Sequence, residues 1–374
     1  MVACQTKPEN KPTVDTIVTA DTVVVPAIKI TKLNAMPISL VVVQQEAPIY
    51  DKIEADRQII DRLYRGDSVI FTNQLAAIEE PIVLQSIRYQ EPWLSVILEN
   101  NEKGWIPAAY VSFDGAAQPE LREKVLLQRA ANFFGANIAQ QLGIYTKEAA
   151  DIQTLPAFRL LYTRANNLAD SISHRLNNWV KTNPQQLEDL PNFYWINELT
   201  EGMLLHYLEE KQEYQLYKDL RIWQSWTAQT AATQDEQFVE VLLAAYAQDS
   251  IEYDFYDWEF PVDRGVMASM LGSNTHHQVL QKMQAVQDSA NYFAPELTKI
   301  KQDLINNISL SNQYWLSLES ALIELDSILQ YDQKVLTKID KSELTTRKQL
   351  LQNPTENKIT GNLFESYRQE EEVQ

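Results

Sequence analysis

The sequence predicts an α+β multidomain chain in which a small β-barrel is followed by an all-α helical bundle domain. Three observations carry this. Between residues 36 and 115, short β-branched and aromatic runs alternate with turns. Beyond residue 116 there is a long stretch poor in glycine: only Gly202 interrupts the chain from Gly143 to Gly265, and apolar residues there recur every three or four positions. At 374 residues the chain also exceeds one average domain. The expected organisation is a polar tether over 1–35, the barrel over 36–115, the helical domain over 116–350 and an acidic, mostly disordered tail over 351–374.

The barrel strands follow in order. Residues 38–43 read ISLVVV, an apolar β-branched run. APIYDK (47–52) and IIDRLYRGDSVIFT (59–72) come next, with Arg65-Gly66-Asp67 opening a strand. Trp93, Ser95 and Ile97 alternate with Leu94, Val96 and Leu98, as in a strand that buries both faces. Residues 99–104 close a hairpin, where Gly104 is expected to supply backbone freedom. Trp105 and Ile106 form the returning strand, and Pro107 ends its ladder because it has no N–H to donate. Ala108-Ala109 fit a short helical turn that swings Tyr110 round before Val111 and Phe113 rejoin the sheet. The segment 73–90 is long for a loop and carries its own apolar run, Ile82-Val83-Leu84.

Four ordered motifs make this region resemble an SH3 domain of the bacterial envelope type (SH3b). They are IYD at 49–51, LYRGD at 63–67, Trp93, and Gly-Trp-Ile-Pro-x-x-Tyr-Val at 104–111. The resemblance implies an aromatic groove for an extended peptide, with Tyr50, Trp93, Pro107 and Tyr110 as its residues and Glu54 and Asp56 on the adjacent loop. Such ligands lose little entropy on binding and pack on flat rings with polar tips. Lys52 stands where the family's second tyrosine falls.

In the helical part, Phe158, Leu161, Ala165, Leu168, Ile172, Leu176 and Trp179 mark a helix over 158–180. Thr233 and Glu236 read as a capping box ahead of Phe238, Val241, Leu242 and Ala245. Over 315–339, Trp315, Leu318, Leu322, Leu325, Leu329, Leu336 and Ile339 keep a heptad register broken only at Asp332. The stripe reads as one long helix of an antiparallel bundle, with a coiled-coil seam offered to a second chain as the alternative.

Cys4 is the only cysteine, which excludes an intrachain disulfide and a thiolate metal cage. Its setting, Met1-Val2-Ala3-Cys4 ahead of a polar, proline-bearing segment, resembles the lipobox of bacterial lipoproteins. That resemblance implies lipid attachment at Cys4 and a flexible tether. With 32 basic and 51 acidic residues the net charge is −19, and no Lys/Arg cluster stands out, so nucleic acid and anionic membrane surfaces are poor partners.

Candidate chemistry is sparse. His174 lies off the apolar stripe of its helix, and His206 shares a helical face with Leu199, Gly202 and Met203. His276 and His277 open a helix at Thr275, where a neutral imidazole is favoured, but neighbours point about 100° apart and form no chelate. Residues 249–263, DSIEYDFYDWEFPVD, interleave acids with aromatics. Asp254, Asp257 and Glu259, with His276, form a possible second surface for a basic or carbohydrate partner, or a carboxylate pair of glycosidase type. No Walker loop, G-x-S-x-G elbow or H-E-x-x-H helix is present. No cofactor or metal is expected. The expectation is a non-catalytic, lipid-anchored adaptor facing the periplasm, whose SH3-like domain docks to cell-wall peptide or a protein partner. The alternatives are a cell-wall-active hydrolase with a catalytic helical domain, and a cytoplasmic scaffold dimerising through 311–340.

Overall fold

The computed structural model of the chain describes residues 28–77, 80–112, 118–184, 192–263, 266–287, 292–331 and 334–365. Cys4, Phe113, Arg264, Gly265, Asp332 and the acidic end beyond 365 lie outside them. The chain begins with a β-rich region and continues into a mainly helical one. The β-rich part holds β1 (Ile30–Lys32), β2 (Ile38–Val42), β3 (Glu46–Tyr50), β4 (Ile59–Tyr64), β5 (Ser68–Ala76), β6 (Ile82–Leu84), β7 (Ile87–Tyr89), β8 (Trp93–Ile97), β9 (Lys103–Pro107) and β10 (Val111–Ser112). The main sheet runs β10-β2-β5-β8-β9-β3-β4 with β1 added on β5, and every pairing is antiparallel. The closed barrel expected from the sequence is not formed by hydrogen bonding. Among the described residues no pairing joins β4 to β10, and β10 has only two residues to offer an edge.

Local chemistry accounts for the turns. Asp67 accepts from the Tyr64 N–H (2.7 Å), and Gly66 takes φ +97° between them. The left-handed residue of the β8–β9 turn is Asn101 (φ 65°), not Gly104. Gly104 is required by space: a Cβ there would lie 2.4 Å from Ile49 Cγ2 and 3.1 Å from the Tyr50 carbonyl. Pro107 closes β9 opposite Trp93, and the chain turns through a single 3-10 turn, Ala108–Tyr110, before Val111 pairs with Val42. The run Ile82-Val83-Leu84 pairs with β7 as a separate hairpin, whose Ile87 and Tyr89 enter the core.

Three helices follow: α1 (Pro119–Phe134), α2 (Ala136–Ala149) and α3 (Leu155–Thr182). The last carries the predicted stripe and is N-capped by Thr154. Then the all-α expectation fails. β11 (Met203–Leu208), β12 (Glu213–Asp219) and β13 (Ile251–Glu252) form a three-stranded sheet, and β14 (Glu259–Asp263) pairs with β15 (Val266–Ser269). His206 therefore sits on a strand. The cause is tertiary: α3 covers β12, where Asn177 Oδ1 accepts from the Tyr214 N–H (2.7 Å) and Ser173 Oγ from the Leu216 N–H (3.1 Å). A strand edge is thereby satisfied by helix side chains.

Interspersed with and following these strands are α4 (Leu220–Thr230), α5 (Thr233–Ala245), α6 (Thr275–Gln287), α7 (Ala294–Leu310), α8 (Leu318–Gln330) and α9 (Lys338–Gln352). The predicted capping box at Thr233 is absent. Ala232 is the N-cap of α5, and buried Asp235 instead accepts from the Thr230 hydroxyl (2.6 Å). The heptad stripe is two helices rather than one. Trp315 precedes α8 and stacks on Phe260 at 3.7 Å, and Ile339 on α9 is 70% exposed. Residues 353–365, expected to be disordered, pack back onto the body: Tyr314 N–H donates to the Thr360 carbonyl (2.8 Å), Ile359 is buried, and Phe364 meets Trp315.

One apolar core runs from Leu33 to Ile359 through both regions. Arg129 of α1 crosses the joint. It forms a buried two-pronged pair with Glu91 (2.6 and 2.7 Å), donates to the Ala108 carbonyl (3.2 Å), and lies over the Tyr89 and Trp195 rings.

Candidate functional site

The first candidate is the outer face of the N-terminal sheet. β3, β8 and β9 bring Tyr50, Trp93 and Trp105 into a small cluster with Ile28 and Ile53. Tyr50 and Trp93 have ring centroids 4.9 Å apart, and Tyr50 pairs opposite Trp105. Pro107 is buried, while Tyr110 is half-buried and its hydroxyl pKa is raised by burial and by nearby Tyr50. The expected groove residues are therefore gathered, but Trp93 is not an open platform. It is only 2% exposed, lies beneath Arg57 (4.8 Å from its ring), and its indole Nε1 has no hydrogen-bond partner among the described residues. Arg57 also covers Tyr50 (5.4 Å) and pairs with Glu80 (2.6 Å). Glu54 and Asp56 are exposed, and Lys52, in place of the family's tyrosine, holds Asp56 at 2.5 Å and lowers its pKa. Arg57 is not singled out by the sequence, and Trp105 is read there only as a strand and motif residue, not as part of the groove. Trp105 faces Tyr50 across one strand pair, a signal visible two residues before Pro107.

The second surface does not assemble as expected. Asp257 accepts from the Gln248 N–H (2.7 Å) and Glu259 from the Tyr256 N–H (3.3 Å), so both carboxylates fix backbone, and burial raises the pKa of each. His276 is not on a surface at all. It is fully buried, with Nε2 2.9 Å from Asn307 Oδ1, which also accepts from the Ser269 hydroxyl (2.6 Å). Burial lowers the imidazole pKa, opposed by Glu324, whose Oε1 lies 3.8 Å from Nδ1. Glu324 itself accepts from the N–H groups of Gly272, Asn274 and His277 and anchors the start of α6.

Asp254 alone of the four opens onto a cleft of about 530 Å³ bounded by α3, β12, α5, α7 and the segment after β13. In its wall lies a buried cation, Lys218 of β12, whose amine is 3.2 Å from Glu252 and 4.6 Å from the Tyr162 ring centroid. The Tyr162 hydroxyl donates to both Glu252 oxygens (3.0 and 3.1 Å). These charges are paired and hydrogen-bonded, as buried charges must be. Tyr217 donates to Asp254 (3.2 Å), which also lies 3.6 Å from Lys211, and Tyr256 donates to Asp303 of α7 (3.0 Å). Burial first, and these carboxylates second, raise the pKa values of Tyr162, Tyr217 and Tyr256. The phenols stay protonated and act as hydrogen-bond groups.

Comparison with protein-family models, curated proteins and solved structures gave no match. Among the described residues, no three acidic, cysteine or histidine side chains converge to hold a metal ion, and no helix is long and apolar enough to cross a membrane.

Proposed function

We propose that the protein is a non-catalytic adaptor of the bacterial cell envelope, lipid-anchored through Cys4, in which residues 36–115 act as an SH3-type module that docks cell-wall peptide or a protein partner. The observation that carries the reading is the strand path. β10-β2-β5-β8-β9 form an antiparallel sheet, the β3–β4 hairpin that follows β2 in the chain is added beyond β9, and a 3-10 turn stands ahead of β10 where the SH3-like motif carries its short helical turn. The docking face is the half-buried pair Tyr50 and Tyr110 beside the acidic loop of Glu54 and Asp56, with Trp93 as the floor beneath them. Asp257 and Glu259 hold backbone N–H groups, which favours an adaptor over a hydrolase using that pair.

The test is co-sedimentation of the full chain with purified sacculi, followed by analysis of soluble muropeptides. Binding that weakens about fivefold or more in Tyr50→Ala and Tyr110→Ala, with no muropeptide released, is the expected result. Absence of pelleting, or release of muropeptides, overturns it. Palmitate labelling of the cellular protein, lost in Cys4→Ala, is the expected mark of the anchor, and labelling unchanged by that substitution removes it.

A further inference from the structure

The aromatic floor under the docking face is closed by the chain itself. We propose that Arg57 is a latch: held by Glu80, it shuts off the Trp93 ring, and its release precedes docking of a peptide. What the opened face admits rests on the function proposed above, whereas the latch is a property of the fold.

Arg57 and Glu80 belong to separate segments, the loop between β3 and β4 and the stretch after β5, and their ion pair (2.6 Å) ties the two together. The guanidinium lies 4.8 Å from the Trp93 ring centroid and 5.4 Å from that of Tyr50, and Trp93 is left 2% exposed. Beneath Arg57 the backbone is fixed. The Asp51 N–H donates to the Gln58 carbonyl (3.0 Å), the Gln58 N–H to Asp51 Oδ1 (2.7 Å) and the Arg57 N–H to the Glu54 carbonyl (3.2 Å). The side chain can therefore swing while its loop stays in place. The other cover is of a different kind. Ile28 packs on the same cluster but is carried by β1, which pairs with β5 at three positions. Backbone bonds from Ala77 to Lys29 (3.0 Å) and from Leu33 to Asn73 (2.8 Å) flank that ladder, so no rotation of one side chain removes it.

The closed arrangement is finely balanced. Cation–ring attraction over two aromatic faces favours it. Against it stand the rotamer freedom Arg57 gives up and the buried Trp93 Nε1, which has no acceptor among the described residues and regains water when the latch opens. The Glu80 side chain is 61% exposed, so the ion pair adds only a small bias that salt screens. Opposing terms of similar size give two populated states, and anything that binds the rings shifts the protein toward the open one.

Fluorine NMR of the full chain labelled with 5-fluorotryptophan tests this. Trp93 is one of 8 tryptophans, and its signal is assigned by its loss in Trp93→Phe. Its change in shift between H2O and D2O reads solvent access. Expected is almost no change in the parent, a full change in Arg57→Ala and an intermediate one in Glu80→Ala. The double variant is expected to open no further than Arg57→Ala, because Glu80 acts through Arg57. On purified sacculi both single variants are expected to pellet at roughly two- to fivefold lower protein concentration than the parent. Trp93 still covered in Arg57→Ala, or Glu80→Ala indistinguishable from the parent, overturns the latch. Weaker pelleting of Arg57→Ala with Trp93 uncovered overturns it too, because Arg57 would then belong to the docking face. If no chain pellets while Trp93 is uncovered as expected, the latch stands and the docking function falls.

Discussion

The guanidinium of Arg129 is buried at the joint between α1 and the first sheet, and its surroundings decide how that joint holds. Two hydrogen bonds to Glu91, one to the Ala108 carbonyl and two aromatic faces leave it compensated on every side. Removing the carboxylate charge leaves a buried cation without its counter-ion, which costs about 3 kcal/mol or more. Glu91→Gln is therefore expected to lower the urea midpoint by that equivalent. A change below about 1 kcal/mol would mean that water reaches the pair. His276 gives a second prediction. Burial holds its folded pKa below the ordinary 6.5, so on acidification the unfolded chain takes up the proton first. The native state is unpenalised above 6.5 and loses stability as the pH falls from there toward the folded value. The carboxylate of Glu324, facing Nδ1, moderates the loss. Urea titrations of the parent and His276→Gln between about pH 7.5 and 5.5 are expected to show a shallower decline in the variant, and equal slopes would refute a neutral buried imidazole.

Among the elements, β9 shows how tightly a strand can be specified by one position. Gly104 lies against Ile49 and the Tyr50 carbonyl, so β3 reaches β9 only because no side chain stands between them. Gly104→Ala is expected to cost about 2 kcal/mol or more by overpacking, read as a lowered midpoint with an altered tryptophan spectrum from Trp93 and Trp105. A near-neutral result would show that Ile49 can withdraw. The α8–α9 break teaches the converse. The apolar spacing from Trp315 to Ile339 satisfies a heptad, yet the chain leaves the helix at Tyr331 and restarts behind the Thr337 cap, which Asp340 completes as a capping box. Lys301 of α7 reaches Asp340 at 2.8 Å and ties the restarted helix to the body.

At the scale of the whole molecule, the β-rich and helical regions share one core. Phe238 and Phe293 stack at 4.0 Å, with Tyr162 and Trp223 edge-on to their neighbours, and the helical end of that core is continuous with Tyr145, Leu126 and Val111 toward the sheet. Aromatic contacts of this kind add about 0.5–1.5 kcal/mol each beyond burial. Urea unfolding is therefore expected to be one cooperative transition, with tryptophan fluorescence and far-UV circular dichroism coinciding. Two separated transitions would show that the sheet and the helical body unfold independently.

Alternation of Trp93 through Leu98, the turn at Arg65-Gly66-Asp67, the Pro107 corner and the stripe of α3 are set by neighbours within a few positions. Their periodicity was therefore legible in the sequence. The strands β11 and β12 were not, because a short apolar run such as Met203–Leu208 fits a helix as well as a strand, and the groups of α3 that satisfy the edge of β12 come from a distant segment. Nor was the fate of the site residues. Burial of Trp93 beneath Arg57, enclosure of His276 against Asn307, and a cleft drawing on positions 162 through 303 depend on contacts between distant segments. Sequence by itself determined the local backbone and the sign of the charge. Tertiary packing alone decided which polar groups are left facing an open space, because desolvation is a property of everything around a residue and not of its neighbours in the chain.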